Sequence, residues 1–141
     1  MDILQRVSNN EGLYLTPIRI DEEYYFLPQE LGEQLGYKNL SKSISENYKE
    51  NVDYIVLTGS KLLEFKGLIN QSISNGLVGK HSSHQVLLTE SGLYAVLLRS
   101  NKPFAEKFRV WVTSEVLPSI RKKGSYSLFD ITTNRYDDIL L

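Results

Sequence analysis

Cysteine is absent from the 141 residues. Disulfides and thiolate metal ligands are therefore excluded, and a reducing compartment is the natural setting. Nowhere do eighteen apolar residues run together, so no segment can span a bilayer as a helix. The opening Met1-Asp2-Ile3-Leu4-Gln5-Arg6 lacks the basic start and long apolar core of a secretory signal. The phosphate-cradling glycine loop, the G-x-G-x-x-G dinucleotide fingerprint and the G-x-S-x-G nucleophile elbow are all missing. Internal repeats and low-complexity tracts are missing too. These absences lead us to expect a soluble cytoplasmic domain, large enough to bury a core without staples, and a non-enzyme that needs no cofactor.

What is present is charge arranged by position. The net charge is only −1. Residues 1–35 nevertheless carry two basic against seven acidic side chains, a net −5. Residues 36–124 carry thirteen basic against seven acidic, a net +6, and the segment from Ser125 onward is net −2. A basic middle between acidic ends is compatible with a phosphate-facing surface, although surface charge is commonly patchy. His81 and His84 form an H-x-x-H pair in a Ser/Gly-rich stretch, with no acidic cluster to complete a zinc site. They are read as solvated polar residues, and no metal site is expected.

Periodicity predicts an α+β fold, a small mixed or antiparallel sheet flanked by helices, with a helix-turn-helix-like pair and a long C-terminal helix. Leu13, Leu15, Ile18 and Ile20 predict a first strand, kept at an edge by Pro17. Asp21-Glu22-Glu23 reads as a turn into a second strand, Tyr24 to Leu27. Pro28 opens a helix running to Leu35, and Gly36 stops it. A short helix from Leu40 to Tyr48 follows, then a strand over 52–57. Ser60 is placed as the cap of a helix carrying Leu62, Leu63, Phe65 and Leu68-Ile69, and residues 71–84 as an exposed loop. Gln85 to Leu88 returns as a strand, and Thr89 caps a helix over Glu90–Arg99. Pro103 opens the longest helix. On that helix Phe104, Ala105, Phe108, Trp111, Val112 and Val116 share one apolar face at 100° per residue. Glu115 falls within the same face, while Val110 and Leu117 lie on the other side. Pro118 implies a bend. Residues 1–124 form one domain and 125–141 a C-terminal tail. Phe129, Ile131, Tyr136, Ile139, Leu140 and Leu141 alternate there with Asp and Thr. Folding back, docking on a partner and remaining free all fit that pattern, with docking onto the domain or a second copy preferred.

The helical pair is the candidate for reading nucleic acid. Leu31, Gly32, Leu35 and Gly36 suit the first half of a helix-turn-helix, where a small residue lets two helices cross closely. Leu40, Ile44 and Tyr48 then form an inward stripe. Lys42, Ser45, Glu46 and Lys49 face outward, and Lys38, Asn39 and Ser41 stand at the exposed entry. An ordinary helical hairpin with a solvated polar face fits the residues equally.

One stretch is more specific. Leu88-Thr89-Glu90-Ser91-Gly92-Leu93-Tyr94, Arg99-Ser100, Lys102-Pro103, Phe108, Trp111-Val112 and Glu115-Val116-Leu117-Pro118-Ser119-Ile120-Arg121-Lys122 follow one another in order. This ordered pattern resembles the distal half of the N-terminal BRO domain of baculovirus repeat proteins and many phage antirepressors. Leu27, Leu31, Leu35-Gly36-Tyr37-Lys38-Asn39 and Ser41-Lys42-Ser43-Ile44 are similar to the proximal half. Leu40 stands where the family often has Pro, and Ser43 where it often has Ala. The stretch from Lys61 to His84 is less typical. The resemblance covers about residues 13–124.

The resemblance implies a DNA-binding transcription regulator from a phage, prophage or virus, working in the host cytoplasm on double-stranded DNA. It also implies a separate C-terminal domain, whereas only Ser125–Leu141 follow here. The expected contacts are Lys38, Asn39, Ser41, Lys42, Ser45 and Lys49, then Arg121, Lys122 and Lys123 just past the long helix. Those last three also suit a plain helix C-terminus, where cations contribute ~0.3–1 kcal/mol each. Lys102, Lys107 and Arg109 are assigned to a solvated helix face. The competing expectation is a module that captures a repressor protein without touching DNA, through the long helix and the tail. Self-association is a further expectation.

Overall fold

The computed structural model describes residues 1–72, 82–102 and 104–123. Short strands β1 (Asp2–Ile3), β2 (Val7–Ser8), β3 (Tyr14–Leu15), β4 (Ile18–Ile20) and β5 (Glu23–Phe26) open the chain. Helices α1 (Pro28–Leu35) and α2 (Leu40–Asn47), strand β6 (Tyr54–Leu57), helix α3 (Gly59–Ser72) and strand β7 (Gln85–Thr89) follow. Next come α4 (Glu90–Arg99), α5 (Ala105–Trp111), a π turn (Val112–Val116) and α6 (Leu117–Lys123). The main sheet is antiparallel throughout, in the order β1-β4-β5-β7-β6, and β2 pairs with β3 in a separate ribbon.

Period-two alternation explains the layers. Along β7, Val86 and Leu88 face one side while Leu87 faces the other. Along β6, Tyr54 and Val56 oppose Ile55 and Leu57 in the same way. One face packs on α3 through Leu62, Phe65 and Ile69. The other carries the larger core, built with α1, α2, α4, α5 and α6 around Phe26, Phe108 and Ile120. The outcome is an α+β domain of three layers.

Several local expectations change. The first strand divides into β3 and β4, because Thr16-Pro17 passes the chain from the ribbon to the main sheet. Asp21 and Glu22 both take positive φ in the turn before β5, as a tight two-residue hairpin requires. Ser60 does not cap α3, which already begins at Gly59. The sequence Gly59–Ser72 also continues the helix into the predicted loop. Residues 73–81, with His81, lie outside the described residues, as do Pro103 and the tail 125–141.

The long helix is not broken at Pro118. A π turn precedes it, and the Leu117 N–H donates to the Val112 carbonyl five residues back. That wider turn under-rotates the chain, so Leu117 swings into the core beside Val116 and Ile120. The expected second apolar flank therefore shrinks to Val110, which is 52% exposed. Phe104, expected on the buried face, is also 52% exposed, because it precedes the first turn of α5.

The start of α4 shows why Thr89-Glu90-Ser91-Gly92 stands where it does. The Thr89 hydroxyl accepts the Gly92 N–H at 3.0 Å and donates to the Val52 carbonyl at 2.7 Å. The Thr89 N–H donates to the Asp53 carbonyl at 3.0 Å. That carbonyl lies so close to Gly92 that a Cβ there would sit 1.7 Å from its oxygen. Gly92→Ala is expected to destabilise the domain by about 3 kcal/mol, since neither backbone can yield without the other. Gly67→Ala, with nothing within 4 Å of its Cβ inside α3, is expected to add about 1 kcal/mol. Urea unfolding of the two variants checks both signs.

Candidate nucleic-acid interface

Helix α2 begins where Gly36 turns the chain with φ 86° and ends α1. The hairpin is tight because Gly32 has no side chain: a Cβ there would lie 3.1 Å from Leu40 Cβ. Leu40 and Ile44 are buried and Tyr48 is half-buried, so the inward stripe lies as the sequence predicts. Lys38, Asn39, Lys42, Ser45, Glu46 and Lys49 are exposed, and Ser41 is half-buried.

These polar groups are not all equally available. The Asn39 side-chain oxygen caps α2 by accepting the Lys42 N–H at 3.1 Å, which leaves its amide group outward. The Ser45 hydroxyl donates back to the Ser41 and Lys42 carbonyls at 3.1 Å. Lys42 and Glu46 approach to 4.0 Å on the exposed face, a pair worth only a few tenths of a kcal/mol. The Lys49 N–H donates to the Asp53 carboxylate at 3.0 Å, while its side chain points outward.

The C-terminal end of α4 closes on the same hairpin. The Arg99 guanidinium stands 5.0 Å over the Tyr48 ring, and the Lys102 ammonium 5.0 Å over the Tyr37 ring. The Tyr37 hydroxyl donates to Ser100 Oγ at 3.2 Å. Lys102 thus belongs to the bend after α4, not to the solvated helix face assigned to it from the sequence. Sequence reasoning also missed Arg99. The only signal for either was its spacing to Ser100 within the motif, because the aromatic partner lies more than fifty positions away.

The second set of candidates lies elsewhere. Arg121 and Lys122 fall within the last turn of α6, not beyond it, and Lys123 also belongs to that turn although its side chain lies outside the described residues. Arg121 pairs with Glu90, the first residue of α4. Ten residues of helix separate Glu90 from Arg99, about 15 Å along the axis. The structure therefore does not bring Arg121 to the α2 hairpin. Glu90 at a helix N-terminus and Arg121 near a helix C-terminus also both suit the local dipoles.

Titration is perturbed away from α2. Arg19 holds Asp2 below the usual carboxylate range, chiefly through its hydrogen bond, and Asp2 in turn raises Arg19. Burial pushes the Tyr14 phenol up, with Glu33 and Glu30 adding to the effect. Burial likewise raises Tyr25, with help from Glu23 and Asp21. Among the described residues no group of three or more His, Cys, Asp or Glu side chains could hold a metal ion. No helix among them is long and apolar enough to cross a membrane.

A three-layer α+β domain that displays a cationic helical hairpin, braced by the end of a following helix, is the class that fold and site define. Comparison with known proteins gives the family. Residues 15–118 match the BRO family, N-terminal domain, and the chain belongs to that family. It is 33% identical over 121 residues to Bro-N domain-containing protein 201R of Invertebrate iridescent virus 6, covering 77% of this chain and 26% of the relative. It is 29% identical to protein 019R of Invertebrate iridescent virus 3, over 76% of this chain and 27% of the relative. It is 26% identical to the Bro-N domain-containing protein ORF2 of Autographa californica nuclear polyhedrosis virus, over 75% and 32%. The chain thus spans about a quarter to a third of the length of these viral relatives. No solved structure matches it.

Asn39→Ala is expected to destabilise the domain by about 1 kcal/mol through loss of the α2 cap, and Asn39→Asp to leave stability within a few tenths of a kcal/mol. Thermal melts of the two variants against the parent chain check this.

Proposed function

We propose that this chain is a DNA-binding regulator of the BRO antirepressor type. It binds rather than catalyses. Lys38, Lys42 and Lys49 meet phosphates of double-stranded DNA. The outward amide of Asn39, with Ser41 and Ser45 beside it, supplies hydrogen bonds to base edges or backbone. The α1–α2 hairpin acts as the helix-turn-helix-like element.

One observation carries the reading: cations lacking acidic partners collect around α2. Arg6, Arg19, Lys107 and Arg121 each pair with a carboxylate at 3.3 Å or closer, whereas Lys38 and Lys49 form no ion pair among the described residues. Cations already neutralised by the fold have little left to offer a phosphate, while these two and the loosely paired Lys42 do. Arg121, Lys122 and Lys123 are a secondary contact at the far end of α4.

A second reading, capture of a repressor protein, is favoured by an open groove of about 620 Å³ beside α5. Val110 and Trp111 line it together with Asn9, Glu11, Glu106 and Glu115. That surface does not involve α2.

Fluorescence anisotropy with a mixed-sequence duplex separates the two readings. The parent chain is expected to bind with an affinity that falls steeply as salt rises. The Lys42→Glu, Lys49→Glu double variant should bind at least tenfold more weakly at physiological salt. Asn39→Asp, with its cap intact, should also weaken binding by placing a carboxylate at the phosphate-facing end. A parent chain that does not bind duplex DNA even at low salt overturns the reading in favour of protein capture.

A further inference from the structure

We infer that Arg99 and Lys102 are a second pair of phosphate-binding cations, aimed by Tyr48 and Tyr37, so that the interface is built from two separate elements. This inference rests on the DNA-binding reading of α2. Its physical basis is the contrast among cations already described. Neither Arg99 nor Lys102 pairs with a carboxylate among the described residues, although both sit on a domain with an excess of acid. Lys61 and Arg109 share that property but lie on α3 and α5.

Each of the two instead rests on an aromatic face, and those two faces bracket α2. Tyr37 precedes the helix and Tyr48 is its C-cap residue. A cation over a ring keeps its full charge and most of its donors, because the ring takes no proton and occupies only one side. A carboxylate in the same place would cancel the charge. The arrangement also restricts side-chain motion before binding, which lowers the entropy lost when a phosphate is gripped. Arginine in particular keeps its planar fork free to meet two phosphate oxygens at once.

Both sequence positions and contacts support one continuous surface. Lys38 follows Tyr37 and Lys49 follows Tyr48, so each tyrosine has one cation as its chain neighbour and another above its ring. Ser100 ties the two halves together through its hydrogen bond with the Tyr37 hydroxyl, and its oxygen also accepts the Lys102 N–H at 3.2 Å. Four cations on two elements then flank a single eight-residue helix.

The test is the salt dependence of duplex binding by the full chain. Each phosphate contact on B-form DNA contributes about 0.9 to the slope of log K against log salt. Arg99→Gln with Lys102→Gln is expected to flatten the slope by about 1.8, and Lys102→Gln alone by about 0.9. Arg99→Lys should keep the parent slope, and Lys61→Gln, on the opposite face of the sheet, should also leave it unchanged. A purely structural role for the two cations would lower the melting temperature and leave the slope of the folded protein as it was. An unchanged slope in Lys102→Gln and in the double variant, with Lys38→Gln and Lys49→Gln still flattening it, overturns this inference and leaves the α2 reading standing. A parent chain with no salt-dependent binding removes both.

Discussion

The fold turns on one buried carboxylate. Glu30 has 0% exposure, and it accepts the Thr16 N–H, the Thr16 hydroxyl at 2.8 Å and the Arg6 guanidinium at 2.8 Å. A charge buried without such partners would be prohibitive, and removing one partner from such a group costs about 3–5 kcal/mol. These donors come from the segment around β2, β3 and β4, so they fix α1 in one place and one rotation. One turn on, Gln34 accepts the Tyr14 N–H at 2.8 Å and donates to the Tyr14 carbonyl at 2.7 Å, which continues the same lock. Arg6 also covers the Tyr14 ring at 4.7 Å. With α1 fixed, Gly32 sets the approach of Leu40, and α2 presents its polar face in one direction only.

Helix α4 acts as a splint for the same hairpin. At its start, Thr89 and Gly92 hold the Val52-Asp53 loop by hydrogen bonds and close backbone approach. At its end, Arg99 and Lys102 lie over Tyr48 and Tyr37. The segment from Tyr37 to Asp53 therefore runs along α4 from its last residue to its first. The most recognisable sequence motif of the family thus has a structural task as well as a binding one: it braces α2 at both ends.

Local chemistry made some of this legible and distance hid the rest. Helix α1 was readable to the residue, because Pro28 suits a first turn and Gly36 supplies the left-handed exit. Helix α4 was readable from Thr89 as cap and from the spacing of Leu93, Val96 and Leu97. The inward stripe Leu40, Ile44, Tyr48 followed from helical periodicity. The division of the first strand at Thr16-Pro17 was not readable, since both pieces keep an apolar alternation. Nor was the π turn: nothing at 112–116 marks an extra residue per turn, and Leu117 was assigned to the wrong side in consequence. The Glu30–Arg6 pair spans 24 positions, and the cation–ring contacts span still more. Pairings of that kind are decided by packing, which periodicity does not report.

The central claim is that the α2 face and the end of α4 form one surface for nucleic acid. Amide chemical-shift mapping of the isotope-labelled chain during titration with a short mixed-sequence duplex tests it most directly. The account predicts shifts confined to Lys38–Lys49 and Arg99–Lys102, saturating together with a single affinity. Shifts centred instead on Asn9–Glu11 and Glu106–Glu115, with the α2 amides unmoved, would contradict it.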